Sequence, residues 1–188
     1  MTGKLFSEDP NAYQDAEGDY RYALGRRWSR GGRSRLYVML NPSVASDTKR
    51  DNTLGRCVSF AQRDGFDALE IVNLYAYRTP HPSVLRRARR DGADIVGPRN
   101  DGAIAAAVAR IDPGGSIVLA WGAQQLEGME DRVSEVLRIV GARPVSCFGV
   151  NDDGSPRHPL MLPGDTPVVT FERLAGAHFT AKERSSHA

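Results

Sequence analysis

A three-layer α/β sandwich around a central, mainly parallel sheet of four or five strands is the architecture this sequence predicts, and three observations predict it. Short apolar runs suited to buried strands recur at 35–40 (RLYVML), 69–74 (LEIVNL), 116–121 (SIVLAW) and 144–148 (PVSCF), with 167–174 (PVVTFERL) as a candidate fifth. Helix-like segments fall between these runs, and such alternation places helices on the faces of a parallel sheet. Polar residues stand at the ends of the runs, where the carboxyl edge of a parallel sheet holds its ligands at a switch in strand order.

The first run stops at Asn41-Pro42-Ser43 in YVMLNPSVASD. Pro42 lacks a backbone donor and confines the residue before it to extended geometry, so Asn41 is held stiffly. Asn52 or Thr53 caps TLGRCVSFAQRDG, where Leu54, Cys57, Val58 and Ala61 recur at helical spacing and Gly65 supplies the stop. The second run closes on Asn73 in IVNLYAYRTP. Asn100 caps the alanine-rich DGAIAAAVARI, and the third run ends on Trp121-Gly122. Residues 123–140 set Leu126, Met129, Val133, Val136, Leu137 and Val140 along one helical face. His158 follows the fourth run, in SPRHPLMLP.

The chain has 188 residues, enough for one domain with its own core. Its expected extent is 20–174, after a loosely ordered segment at 1–19 and before a flexible tail at 175–188. There is no apolar run of membrane-spanning length, and the acidic, polar start is unlike a signal peptide, so a soluble cytoplasmic protein is expected. Cys57 and Cys147 are too few and too far apart for a zinc ribbon or an iron–sulfur cluster; reduced core thiols are expected, with no metal and no cofactor. Neither GxxxxGK[ST] nor GxGxxG occurs, which argues against a nucleoside-triphosphatase or dinucleotide enzyme.

Net charge is only +2, so total charge does not announce a nucleic-acid binder. Arginine nevertheless outnumbers lysine 22 to 3 and clusters at 21–35 and 85–92. Arg26, Arg27, Arg33 and Arg35, with Arg86, Arg87, Arg89 and Arg90, are the candidates for phosphate contact, since the guanidinium fork suits phosphate. The plain alternative is a solvated, Arg-rich surface.

The strand-end residues converge on one rim in such a fold. Asn73 offers one acceptor and two donors, enough to read an edge of a heterocycle. Asn41 is placed to hold a water, and His158 to donate to charge developing on a leaving group. Ser43, Tyr75 and Trp121 join Asn73 as base-contacting candidates, and Asp47 or Asp51 can supply the carboxylate that an amide lacks. Each has a plainer reading: a turn for Asn-Pro, a loop-satisfying amide for Asn73, a surface histidine for His158, core packing for Trp121 and Tyr75.

The order LNPS (40–43), VNL (72–74), LAWGAQ (119–124), RHPL (157–160) resembles the uracil-DNA glycosylase superfamily. That superfamily is an α/β sandwich with an Asp-Pro or Asn-Pro motif after its first core strand, a base-reading Asn, in some branches Trp-Gly, and a final His-Pro-Ser loop. The resemblance implies water positioning by Asn41, base reading by Asn73 and leaving-group stabilisation by His158. Leu40 and Ser43 depart from the family's usual neighbours of its first motif, and Leu-Met-Leu-Pro follows the histidine, with Leu160 or Met161 as the residue that would wedge into a duplex. Over roughly 20–163 the chain also resembles, more closely, the bacterial and phage family known as domain of unknown function 1643, in YRYALGRRW, MLNPSVAS, the segment 51–57, VNLYAYRTP, GPRND, AWG and GSPRHPLML.

The function these readings lead to is recognition of a nucleobase, with hydrolysis of its N-glycosidic bond in DNA as the expected chemistry. The expected partner is a nucleobase-containing substrate, single- or double-stranded DNA included, and no membrane. Two alternatives stand beside it: a non-catalytic module that binds a nucleobase, nucleotide or nucleic acid, and a hydrolase of free nucleosides.

Overall fold

The computed structural model describes residues 4–6, 12–43, 52–124 and 126–172. Two strands carry the centre. β4 (Ser34–Met39) is buried at every position after its first, and β5 (Ala68–Asn73) throughout. Side chains alternate across a strand: Leu36 and Val38 belong to one core cluster, Tyr37 and Met39 to another. α1 (Asn52–Arg63) supplies Cys57 and Phe60 to the second cluster. α2 (Pro82–Arg90), α3 (Asn100–Ala109) and α4 (Met129–Val140) supply Leu85, Ile104 and Val133 to the first. Helices therefore cover both faces, giving three layers; each large side chain buried in this way contributes roughly 1.5–3 kcal/mol.

The remaining strands are β1 (Lys4–Phe6), β2 (Ala12–Glu17), β3 (Tyr20–Arg27), β6 (Ser116–Leu119), β7 (Val145–Cys147) and β8 (Val169–Thr170). They form one eight-stranded sheet in the order β1-β2-β3-β5-β4-β6-β7-β8. Only β5/β4, β4/β6 and β6/β7 pair in parallel; the other four pairings are antiparallel. The expected mainly parallel sheet of four or five strands is thus corrected to a mixed eight-stranded sheet in which the four neighbours β5, β4, β6 and β7 run parallel. The fifth predicted run does form a strand, β8, and it lies antiparallel on the β7 edge.

The amino-terminal segment expected to be loose carries β1 and β2, which continue the sheet beyond β3. β3 escapes an apolar-run search because Arg21, Gly25 and Arg26 interrupt YRYALGRR, yet five of its positions are buried. Gly25 is there for space: a Cβ would come within 2.0 Å of the Tyr13 ring on the paired strand. Cys57 and Cys147 are both buried, and burial pushes the Cys147 thiol up. Among the described residues no helix is long and apolar enough to cross a membrane. The predicted tail at 175–188 lies outside the described residues.

Candidate functional site

β4 leads through α1 to β5 on one side of itself, and the chain then returns to place β6 on the other side. A switch in strand order therefore falls between β4 and β6, where an open α/β sheet leaves a crevice beyond its strand ends. A cavity of about 770 Å³ occupies this place, lined by Asn41, Asn73, Trp121, Gly122 and His158. Thr53 and Leu54 of the first turn of α1 also line it. The positive end of a helix dipole thus faces the cavity.

Hydrogen bonds beyond the strand ends fix the rim. The backbone N–H groups of Leu74, Tyr75 and Thr79 donate to the carbonyls of Met39, Leu40 and Pro42 at 2.8, 3.0 and 3.0 Å. The Asn41 amide nitrogen donates to the Thr79 hydroxyl at 2.8 Å, and that hydroxyl donates to the His81 carbonyl at 3.2 Å. A hydroxyl has one proton, so the chain of donors runs in one direction. Nδ2 of Asn41 is thereby turned to Thr79, and Oδ1 is the end of the amide left for the cavity.

Asn73, the last residue of β5, is only 4% exposed. No donor or acceptor among the described residues reaches its side-chain amide, which lines the cavity. A buried amide without a protein partner is costly unless something else satisfies it. Its backbone is held from behind: Asn100, fully buried, donates from Nδ2 to the carbonyls of Asn73 and Leu74, both at 3.1 Å. Arg132 adds a bond from Nε to the Leu74 carbonyl at 2.7 Å and pairs with Asp101 at 2.6 Å.

His158 caps the short 3-10 helix Pro159–Met161, and its Nδ1 accepts the Leu160 N–H at 3.3 Å. In the neutral ring the proton then sits on Nε2, as a donor. Gly122 abuts this residue at φ +77°, and a Cβ there would lie 3.1 Å from the His158 Cβ. The Gly122 N–H donates to the Pro156 carbonyl at 2.9 Å, fastening the end of β6 to the histidine loop. Across the cavity, Arg56 of α1 donates to the Leu162 carbonyl, and Arg63 holds Gly164 and Thr166.

The structure brings together Asn41, Ser43, Asn73, Trp121 and His158 around one cavity. Tyr75 is instead a core residue, 1% exposed, and burial pushes its hydroxyl up. Asp47 and Asp51 lie outside the described residues. Of the arginines, Arg35 is buried and paired with Asp64 at 2.7 Å, and both Arg33 and Arg35 lie over the Phe66 ring. Arg26 and Arg27 pair with Leu69 and Ala68 at the beginning of β5. All four sit toward the amino end of the parallel strands, four or more residues before the strand ends and so about 13–20 Å from the rim at some 3.3 Å per residue. None of the four lines the cavity.

Arg86, Arg89 and Arg90, by contrast, line a second depression of about 310 Å³ on α2, and Arg86 donates to Gln124 of the main cavity at 3.3 Å. Arg87 points to Asp91 instead, at 3.6 Å. Sequence reading missed Arg21, 6% exposed and lining the cavity, and also Thr79, Gln124 and Arg157. The cavity's described lining includes Arg21 and Arg157 and no Asp or Glu. Among the described residues no three metal-type side chains come together.

The fold and site define an α/β protein with a cavity of mixed polar and apolar lining at a switch point of its sheet. The chain belongs to the family described as protein of unknown function, DUF1643, whose model matches residues 21–160. No curated protein and no solved structure matches it.

Proposed function

We propose that the cavity recognises a nucleobase in the manner of the uracil-DNA glycosylase superfamily, and that cleavage of an N-glycosidic bond is its chemistry. The carrying observation is Asn73: a buried, unpartnered amide at a cavity wall, with its backbone clamped by Asn100. Such an amide reads a complementary donor–acceptor edge, and an apolar ligand would leave it unsatisfied.

The other two motif residues support the reading. Asn41 presents Oδ1 to accept from a water, with its orientation set by Thr79. His158 offers Nε2–H to the departing base, whose bond breaks through an oxocarbenium-like state and leaves electrons on the base. Arg21, Arg157 and the first turn of α1 line the same space. Met161, 89% exposed at the mouth, is where a residue that parts stacked bases would stand.

A second reading, recognition without turnover, is favoured by the lack of a carboxylate in the described lining. An amide orients a water and cannot take its proton at neutral pH. One assay separates the two: single- and double-stranded oligonucleotides carrying uracil, hypoxanthine or alkylated bases, scored for abasic sites by alkaline cleavage. Abasic sites that vanish in Asn41→Ala and His158→Ala establish a glycosylase. No cleavage with retained base binding establishes a recognition module, and neither cleavage nor binding overturns the proposal.

A further inference from the structure

We infer that the α2 groove beside the cavity is a phosphate subsite, so that the ligand is a base carrying a phosphate and not a bare base or nucleoside. The inference rests on the nucleobase reading of the cavity for the ligand's other half, and its own observations lie on α2. Ser83, Arg86, Arg89 and Arg90 line the groove together, and their spacing of three and four residues puts them on one face of the helix.

Three cations so placed repel one another, and like charges one turn apart destabilise a helix. Among the described residues no carboxylate closes an ion pair with Arg86, Arg89 or Arg90, although Arg87 on the same helix pairs with Asp91. The one acidic residue of the described lining is Glu127. Arg89 is the half-buried member of the set, and its Nη2 lies where a Cβ on Gly128 would come within 2.9 Å. Gly128, at φ +70°, is the N-cap of α4, and its lack of a side chain leaves room for the Arg89 guanidinium against it.

Continuity with the cavity comes through two neighbours. Pro82 lines the cavity and Ser83 the groove, while Gln124, which lines the cavity, accepts from Arg86 at 3.3 Å. The groove is therefore next to the place assigned to the base. Forked, fully charged donors on a helix face select oxygens of a phosphate mono- or diester. A nucleotide and a strand of nucleic acid share this chemistry.

The test titrates the full chain with inorganic phosphate, pyrophosphate, the deoxynucleosides, their 5′-monophosphates and a short single-stranded oligodeoxynucleotide, in wild type, Arg86→Ala/Arg89→Ala and Arg86→Lys/Arg89→Lys. Thermal melts verify folding, and Arg138→Ala, an exposed arginine on α4, controls for net charge. Phosphate-bearing probes should bind more tightly than the deoxynucleosides. The double alanine variant should weaken them about tenfold per arginine, and the lysine variant should recover part of the loss. A gain with monophosphates identifies a nucleotide, whereas a gain only with the oligonucleotide, with a shallower salt slope in the alanine variant, identifies a strand. Equal binding of every phosphate-bearing probe by wild type and the double alanine variant, or no binding of any, overturns the subsite. Loss of phosphate binding in that variant with no binding of deoxynucleosides leaves the subsite standing and removes the base assignment instead.

Discussion

Asn100 donates from its buried side chain to the carbonyl of Asn73 at 3.1 Å, so the residue assigned to base reading is held by a residue 27 positions further along the chain. The two amides have opposite roles. Asn100 satisfies two strand-end carbonyls, whereas the Asn73 side chain has no partner among the described residues.

The contrast predicts opposite mutational signatures. Asn100→Ala removes a donor from the Asn73 carbonyl and leaves the Leu74 carbonyl to Arg132 alone, and it should cost about 1–2 kcal/mol of stability, read as a lowered midpoint in urea. Asn73→Ala removes no hydrogen bond and should change stability by less than about 1 kcal/mol while abolishing base binding.

Thr79 lines the cavity, and its main effect is predicted to pass through Asn41. Thr79→Val keeps the shape but removes the shortest of the three bonds from Asn41 Nδ2, leaving those to the Pro42 and Thr79 carbonyls at 3.1 and 3.4 Å, so Asn41 is held less firmly. Stability should fall by about 1 kcal/mol. Base affinity should persist, any abasic-site formation should drop sharply, and Thr79→Ser should restore it.

Gly122→Ala should be disruptive in two ways. A side chain at φ +77° is strained, by about 1 kcal/mol or more, and its Cβ would press on His158 at 3.1 Å. A lowered melting temperature together with lost turnover, but retained base binding, is the expected outcome, because the displaced element is the histidine loop and not β5.

The Arg35–Asp64 pair predicts acid sensitivity. Partial burial opposes ionisation of Asp64, but hydrogen bonds from Arg63 and Arg35 outweigh it and hold the carboxyl below its usual value. A carboxyl depressed in the folded state contributes stability above its unfolded pKa, of ~4, and loses that contribution as pH falls through the folded value. Wild type should therefore weaken steeply below about pH 4. Asp64→Asn should weaken less over that range but start about 3 kcal/mol lower, because Arg35 stays buried and unpaired. Stability measured against pH in both proteins checks the sign.

Much of the architecture can be read in one dimension because buried parallel strands are unbroken apolar runs, as RLYVML and LEIVNL are. Asn41 and Asn73 stand out by the same rule, as polar residues ending such runs. Arg21 does not, because only the non-local insertion of β3 beside β5 brings it to the cavity. Thr79 and Asn100 reach the rim across separations of 38 and 27 residues, which no periodicity records. The arginines at 26–35 teach a different lesson. They precede or begin the first core strand, so strand direction alone assigns them to the edge opposite the ligand, whatever their charge suggests.

Titration of the free nucleobases and deoxynucleosides into wild type and Asn73→Ala, followed by calorimetry with matched thermal melts, tests base recognition most directly. The cavity assignment predicts saturable binding of at least one base by wild type and its loss in an Asn73→Ala protein that melts as wild type does. Equal affinity in the two proteins would contradict it and return Asn73 to a merely buried amide.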